Sequence, residues 1–189
     1  MKSNIWLVAV VMTALMATAG TAFATQVLYQ TIEDLGTQAA VVVHGSVASV
    51  QSYWNDQHTK IFTETSITVD TTFKGDTGGT VQVLQLGGTV GNVRVTAHGA
   101  LQWTPGEEVI LFLEPFRDGK YQVAGFSQGK FNVVRDELTS EVYVTRAALE
   151  GTQLVGVPEN DDEAAGLLKL PLERFVYRAL GEVPGRSED

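Results

Sequence analysis

The segment IFTETSITVDTTFK, Ile61 to Lys74, limits the fold of this chain more than any other stretch. Ile61, Thr63, Thr65, Ile67, Val69, Thr71 and Phe73 alternate with Phe62, Glu64, Ser66, Thr68, Asp70, Thr72 and Lys74. A period of two puts the first set, apolar or β-branched, on one face of a strand and the second, mostly polar, on the other. Such a strand belongs to a sheet that covers a core on one side and meets water on the other.

Neighbouring segments repeat this signal between breaks at Gly and Pro. AVVVHGSVASVQSYW, from Ala40, is rich in Val and ends in aromatics, with Gly45 where strands bulge or bend. A turn at residues 74–79 precedes VQVLQL, residues 81–86. Pro105-Gly106 fits the centre of a type II turn, and VILFLEP, residues 109–115, is apolar on both faces like a central strand. Asp118-Gly119 is a preferred pair for a two-residue hairpin, so the strands flanking it are antiparallel. With YQVAGF, KFNVV and EVYVT, about eight short strands emerge, the spacing of an all-β barrel or sandwich.

Helical signals sit at the two ends of this β region. Thr31 can cap a short helix whose first turn holds Glu33 and Asp34, although Gly36 weakens it. Pro171 to Leu180 places Leu172, Phe175, Val176, Ala179 and Leu180 on one stripe, with Gly181 just past the end. That stripe can dock on the barrel or on a partner. Ahead of it, residues 160–163 form an acidic run that reads as linker.

The first 24 residues carry Lys2, an apolar run from Ile5 to Ala17, and Ala22-Phe23-Ala24, the pattern of a cleaved secretory leader. Three segments follow: leader 1–24, β domain 25–150, and acidic linker with amphipathic helix 151–189. No later segment is apolar enough to span a bilayer, so none is expected in the mature chain. The expected location is the periplasm or the exterior. The chain has no cysteine, so packing alone must hold an exported fold together. A net charge of −9 and the lack of clustered Lys and Arg argue against nucleic acid as a partner.

Catalytic constellations are missing from the sequence. His44, His58 and His98 are isolated, without the H-E-x-x-H spacing of a zinc site, and no cofactor is expected. Ser127 lacks the strand-to-helix setting of a nucleophile elbow. Glu107 and Glu108, as neighbours in a strand, point to opposite faces and cannot share a proton-transfer site. Asp161, Asp162 and Glu163 lack the spacing of a calcium loop. Gly87, Gly88 and Gly91 precede a β-like run rather than a helix, so they read as turn glycines instead of a phosphate cradle. Tyr53, Trp54, Phe62 and Trp103 lie near turns, and Tyr53, Trp54 and Trp103 with Gly87, Gly88 and Gly91 are the candidate ligand-binding set at one end of a barrel.

The series VVVHGSVASVQSYW, IFTETSITVDTTFKGD, VQVLQLGG, TPGEEVILFLEP and GKYQVAGFSQGKFNV resembles a family of bacterial secreted proteins to which no activity is assigned. The order V-x-G-x-V, a long strand ending in Lys74-Gly75, and a later Gly-Glu run before Phe112-Leu113 is similar to netrin-like modules. These are OB-type barrels that include tissue inhibitors of metalloproteases. The resemblance implies a small OB/netrin-like closed β-barrel with a short N-terminal and a C-terminal helix. In those inhibitors an N-terminal cysteine, held by disulfides, places its free amine on the catalytic zinc; here the expected mature start is Thr25-Gln26. The leading expectation is therefore an exported, non-enzymatic module that binds a protein or another envelope ligand. The alternatives are an inhibitor of an exported metalloprotease and a small metal-dependent hydrolase.

Overall fold

Because one face of the long alternating strand must be covered, its neighbours wrap it into a closed sheet. The computed structural model describes residues 25–97, 99–146, 152–158 and 168–181, so the leader, His98 and the acidic run at 160–163 lie outside the described residues. In chain order the elements are β1 (Thr25–Leu28), α1 (Ile32–Gln38), β2 (Val41–Trp54), β3 (Ile61–Lys74), β4 (Thr80–Leu86) and β5 (Gly88–Val90). Then come β6 (Val93–Val95), β7 (Glu108–Pro115), β8 (Tyr121–Val123), β9 (Lys130–Arg135), β10 (Val142–Arg146), β11 (Thr152–Val155), β12 (Lys169–Pro171) and α2 (Leu172–Leu180).

Five strands close the barrel in the order β2-β3-β4-β8-β7, and β7 returns to β2. All neighbours are antiparallel except β4 and β8, which run parallel and pair only at Val83 and Tyr121. That OB-type closure is the expected fold. Both β2 and β3 have 14 residues and bend through register shifts in β2, one of them between His44 and Gly45. Asp118 and Gly119 both have positive φ, and the Lys120 amide donates to the Arg117 carbonyl, giving the expected tight hairpin.

Strand β7 explains the double-sided apolarity of VILFLEP. Val109, Leu111 and Leu113 point into the barrel core with Val41, Val43, Val47, Ile67, Val81 and Val83. Ile110 and Phe112 point the other way, into a second core built with Phe131, Val133, Val144 and the two helices. There Phe112, Phe131 and Phe175 meet edge to face, with ring centroids 4.7 to 6.0 Å apart. Beyond the barrel, β9, β10 and β12 extend the sheet as a flap that carries this second core.

Helix α2 docks on its own chain, burying Phe175, Val176 and Ala179. Its contact with α1 requires Gly36, where a Cβ would overlap the Ala179 carbonyl oxygen. The residue that weakens α1 as an isolated helix is the one that lets the two helices touch. Thr31 and Asp34 form a reciprocal capping box, which offsets part of that weakness.

Two features depart from the sequence expectations. Twelve strands appear among the described residues instead of about eight, because β1, β5, β11 and β12 have three or four residues each, too few to show a period. Phe62, on the face expected to be wet, is only 5 % exposed. Its ring is covered by the Arg117 guanidinium, 4.5 Å from its centroid.

Candidate binding groove

The single pairing between β4 and β8 leaves a seam in the barrel wall. Past Val83, the outer edge of β4 at residues 84–86 has no strand partner among the described residues, and neither has the outer edge of β8 at residues 122–123. Along this seam lies a groove of about 590 Å³ whose lining includes Phe62, Leu84, Leu86, Phe116, Arg117 and Phe126. Leu86, Phe116 and Phe126 are 45 %, 42 % and 48 % exposed, a cluster of large apolar groups that folding leaves in water.

Each wall has a local cause. Leu84 and Leu86 share the outward face of β4, and Leu86 lies opposite Phe62, which lies opposite Tyr53. Phe116 and Arg117 enter from the β7–β8 hairpin, where the guanidinium carbon lies 4.5 Å from the Phe62 centroid and 4.8 Å from that of Phe116. Phe126 belongs to a loop in which Gly125, Phe126 and Ser127 all have positive φ. Such backbone is costly for Phe and Ser. Gln128, 1 % exposed, holds the loop: its side-chain oxygen accepts from the Gln30 amide at 3.0 Å and its amide nitrogen donates to the Leu28 carbonyl at 2.9 Å.

The groove's floor is pinned by Gln85. Its side-chain nitrogen donates to the Leu101 carbonyl at 2.9 Å, while its oxygen accepts from the Leu101 amide at 3.2 Å and the Trp103 indole at 3.1 Å. Trp103 borders the barrel core, 4.8 Å beneath the Lys130 ammonium. Lys130, 3 % exposed, also donates to Glu107 at 2.7 Å and to the Gln102 carbonyl at 2.8 Å. This cluster anchors the loop that leads into β7.

Charge is distributed unevenly around the groove. Lys120 is bonded to Glu64, whose carboxylate raises the ammonium pKa, and the same carboxylate accepts from the Tyr53 hydroxyl at 3.2 Å. Glu114, on the β8 side, accepts from the Gln122 amide at 3.3 Å. Lys60 and Arg117 line the groove and have no carboxylate within ion-pair distance among the described residues.

None of Tyr53, Trp54, Trp103, Gly87, Gly88 and Gly91, the candidate ligand-binding set, lines the groove, whereas Phe62 does. Trp54 lies opposite Ile61, whose carbonyl accepts from the Gly87 amide at 2.8 Å, and stacks on the exposed His58. Gly87, Gly88 and Gly91 all have positive φ, as turn residues should, and a Cβ on Gly88 would overlap the Thr63 and Ser52 hydroxyls. Gly91 sits at the tip of the β5–β6 hairpin, clear of other groups. Phe116, Arg117 and Phe126 escaped sequence reading because the Asp118-Gly119 turn and the glycines at 125 and 129 mark loops without showing what those loops face.

The titratable pairs have structural partners. Glu107 and Glu108 do point apart: Glu107 binds Lys130, and Glu108 binds His44 at 2.8 Å and Arg135 at 3.0 Å. His44 is a hydrogen-bonded sheet residue stacked on Phe73, and His58 lies in a loop beyond the far end of β2. Among the described residues no three His, Asp or Glu side chains come together as metal ligands, and no helix is long and apolar enough to cross a membrane. The chain matches no family model and no curated protein.

Proposed function

We propose that this chain is an exported, non-enzymatic binding module that holds a protein ligand of the cell envelope in the groove at the β4–β8 seam. The observation that carries this reading is the cluster of exposed Leu86, Phe116 and Phe126 around a concavity in the barrel wall. A chain stabilised by packing alone has no structural use for these groups in water, and a partner that covers them gains roughly 25 cal/mol for each Å² of apolar surface removed from solvent. The leader-like first 24 residues support export.

Site-specific photocrosslinking tests the proposal. A photoreactive residue at position 86 should give a discrete adduct in envelope extract, suppressed by excess unmodified chain. The same group at position 177, on the solvent side of α2, should give none. Equal labelling from both positions, or adducts that excess chain does not suppress, removes the groove as the binding surface.

A further inference from the structure

We infer that the occupant of the groove is an extended acidic peptide segment, added as a strand at the open seam with its carboxylates against Arg117 and Lys60; this rests on the groove being the binding site. Three observations carry it. First, among the described residues the facing edges of β4 and β8 have no strand partner beyond the bridge between Val83 and Tyr121, which leaves an open strand edge at Leu86 and at Val123. An extended main chain supplies matching donors and acceptors.

Second, the side chains beside those edges match the period of a strand. Leu84 and Leu86, two residues apart, share the outward face of β4, with Phe62 and Phe116 beside them. Alternate side chains of an added strand would share the outward face of Leu86 with Arg117, which packs on Phe62, and the intervening ones would share the other face with Gln85.

Third, charge selects the peptide. The protein carries 22 acids against 13 bases, yet both cations lining the groove lack a carboxylate partner among the described residues. Contacts with the Phe62 and Phe116 rings, at 4.5 and 4.8 Å from the guanidinium carbon, hold Arg117 at the groove, and a guanidinium is the side chain best suited to bind a carboxylate. Glu114, on the same hairpin as Arg117, is hydrogen-bonded by Gln122 and by neither cation.

The test uses the leader-free chain labelled with ¹⁵N and two capped peptides, acetyl-Ser-Glu-Phe-Asp-Val-Gly-amide and its counterpart with Gln and Asn for the two acids. The acidic peptide should shift the amide signals of Leu84, Leu86, Arg117, Gln122 and Val123 and bind about tenfold tighter than the neutral one. Arg117→Gln should erase most of that difference while leaving the rest of the spectrum in place. Methylating alternate backbone nitrogens of the peptide should abolish binding in one register and spare it in the other. Equal affinity of the two peptides at these amides overturns the acidic preference and leaves the groove as a binding site. Shifts confined to other faces, or response only to phosphatidylglycerol vesicles or a single-stranded oligonucleotide, overturn the peptide assignment. A groove that photocrosslinks no envelope protein refutes the wider reading independently.

Discussion

Replacing Phe175 with Ala should detach α2 from the barrel layer. The ring is fully buried and touches Phe112 and Phe131 edge-on, with centroids at 6.0 and 4.7 Å. Truncating a buried Phe costs about 3 to 5 kcal/mol, combining lost transfer energy with the cavity left behind. The upper half of that range applies, because β7, β9 and α1 frame the site and cannot all collapse into it. With a urea slope of about 2 kcal/mol/M, a loss of about 4 kcal/mol moves the midpoint down by about 2 M. Urea denaturation of the leader-free chain measures this, with Tyr177→Ala as control. Tyr177 is 60 % exposed on the same helix, and its loss should stay within about 0.5 kcal/mol. A Phe175→Ala shift below about 1 kcal/mol, or one equal to that of Tyr177→Ala, would refute the docking of α2 on its own chain.

Gly88→Ala should cost about 3 kcal/mol, because φ is +134° and the new Cβ would part the Ser52 and Thr63 hydroxyls, which are 2.9 Å apart. Gly91→Ala, at φ +57° in open space, should cost about 1 kcal/mol; equal values in thermal melts would contradict the packing assigned to Gly88. For Glu33, burial raises the carboxyl pKa, but the Arg178 hydrogen bond and charge, together with a bond to its own backbone, outweigh burial and lower it. A lowered folded pKa stabilises above the unfolded value and stops doing so as pH falls through the folded one. The stability gap between wild type and Glu33→Gln should therefore be present at pH 7 and close as pH falls below the ordinary glutamate range, and a gap that widens in acid would reverse the assignment.

The barrel was largely legible in the sequence because its strands are long enough to show a period and its turns use residues with few conformational options. Asp118-Gly119 and Pro105-Gly106 are such cases: Gly106 has φ +85° and the Glu107 amide closes the turn onto Thr104. The alternation of β3 holds through Ile67, where Ile61, Thr63, Thr65 and Ile67 are all buried. Farther on, the bends in β2 carry the ribbon around the barrel, so Val69 borders one core and Phe73 the other.

The groove was less legible, because it arises from a pairing that is nearly absent. Only the register of β4 against β8 reveals that the two strands meet at a single residue pair, and register depends on how the whole sheet closes. Trp103, placed by sequence before a turn and in the candidate ligand-binding set, borders the barrel core beneath Lys130. The two ring contacts of Arg117 come from residues 55 positions and one position away, of which sequence shows only the second.

Blocking the groove covalently gives the most direct measurement. Since the chain has no cysteine, Phe126→Cys and Leu138→Cys each supply a unique thiol, one on the groove and one on a turn that is 97 % exposed. After labelling with a bulky maleimide, each protein is added as competitor to the position-86 photocrosslinking reaction. The account predicts that labelled Phe126→Cys no longer suppresses the adduct while labelled Leu138→Cys suppresses it fully. If the groove-blocked protein competes as well as the unblocked chain, the ligand is held elsewhere.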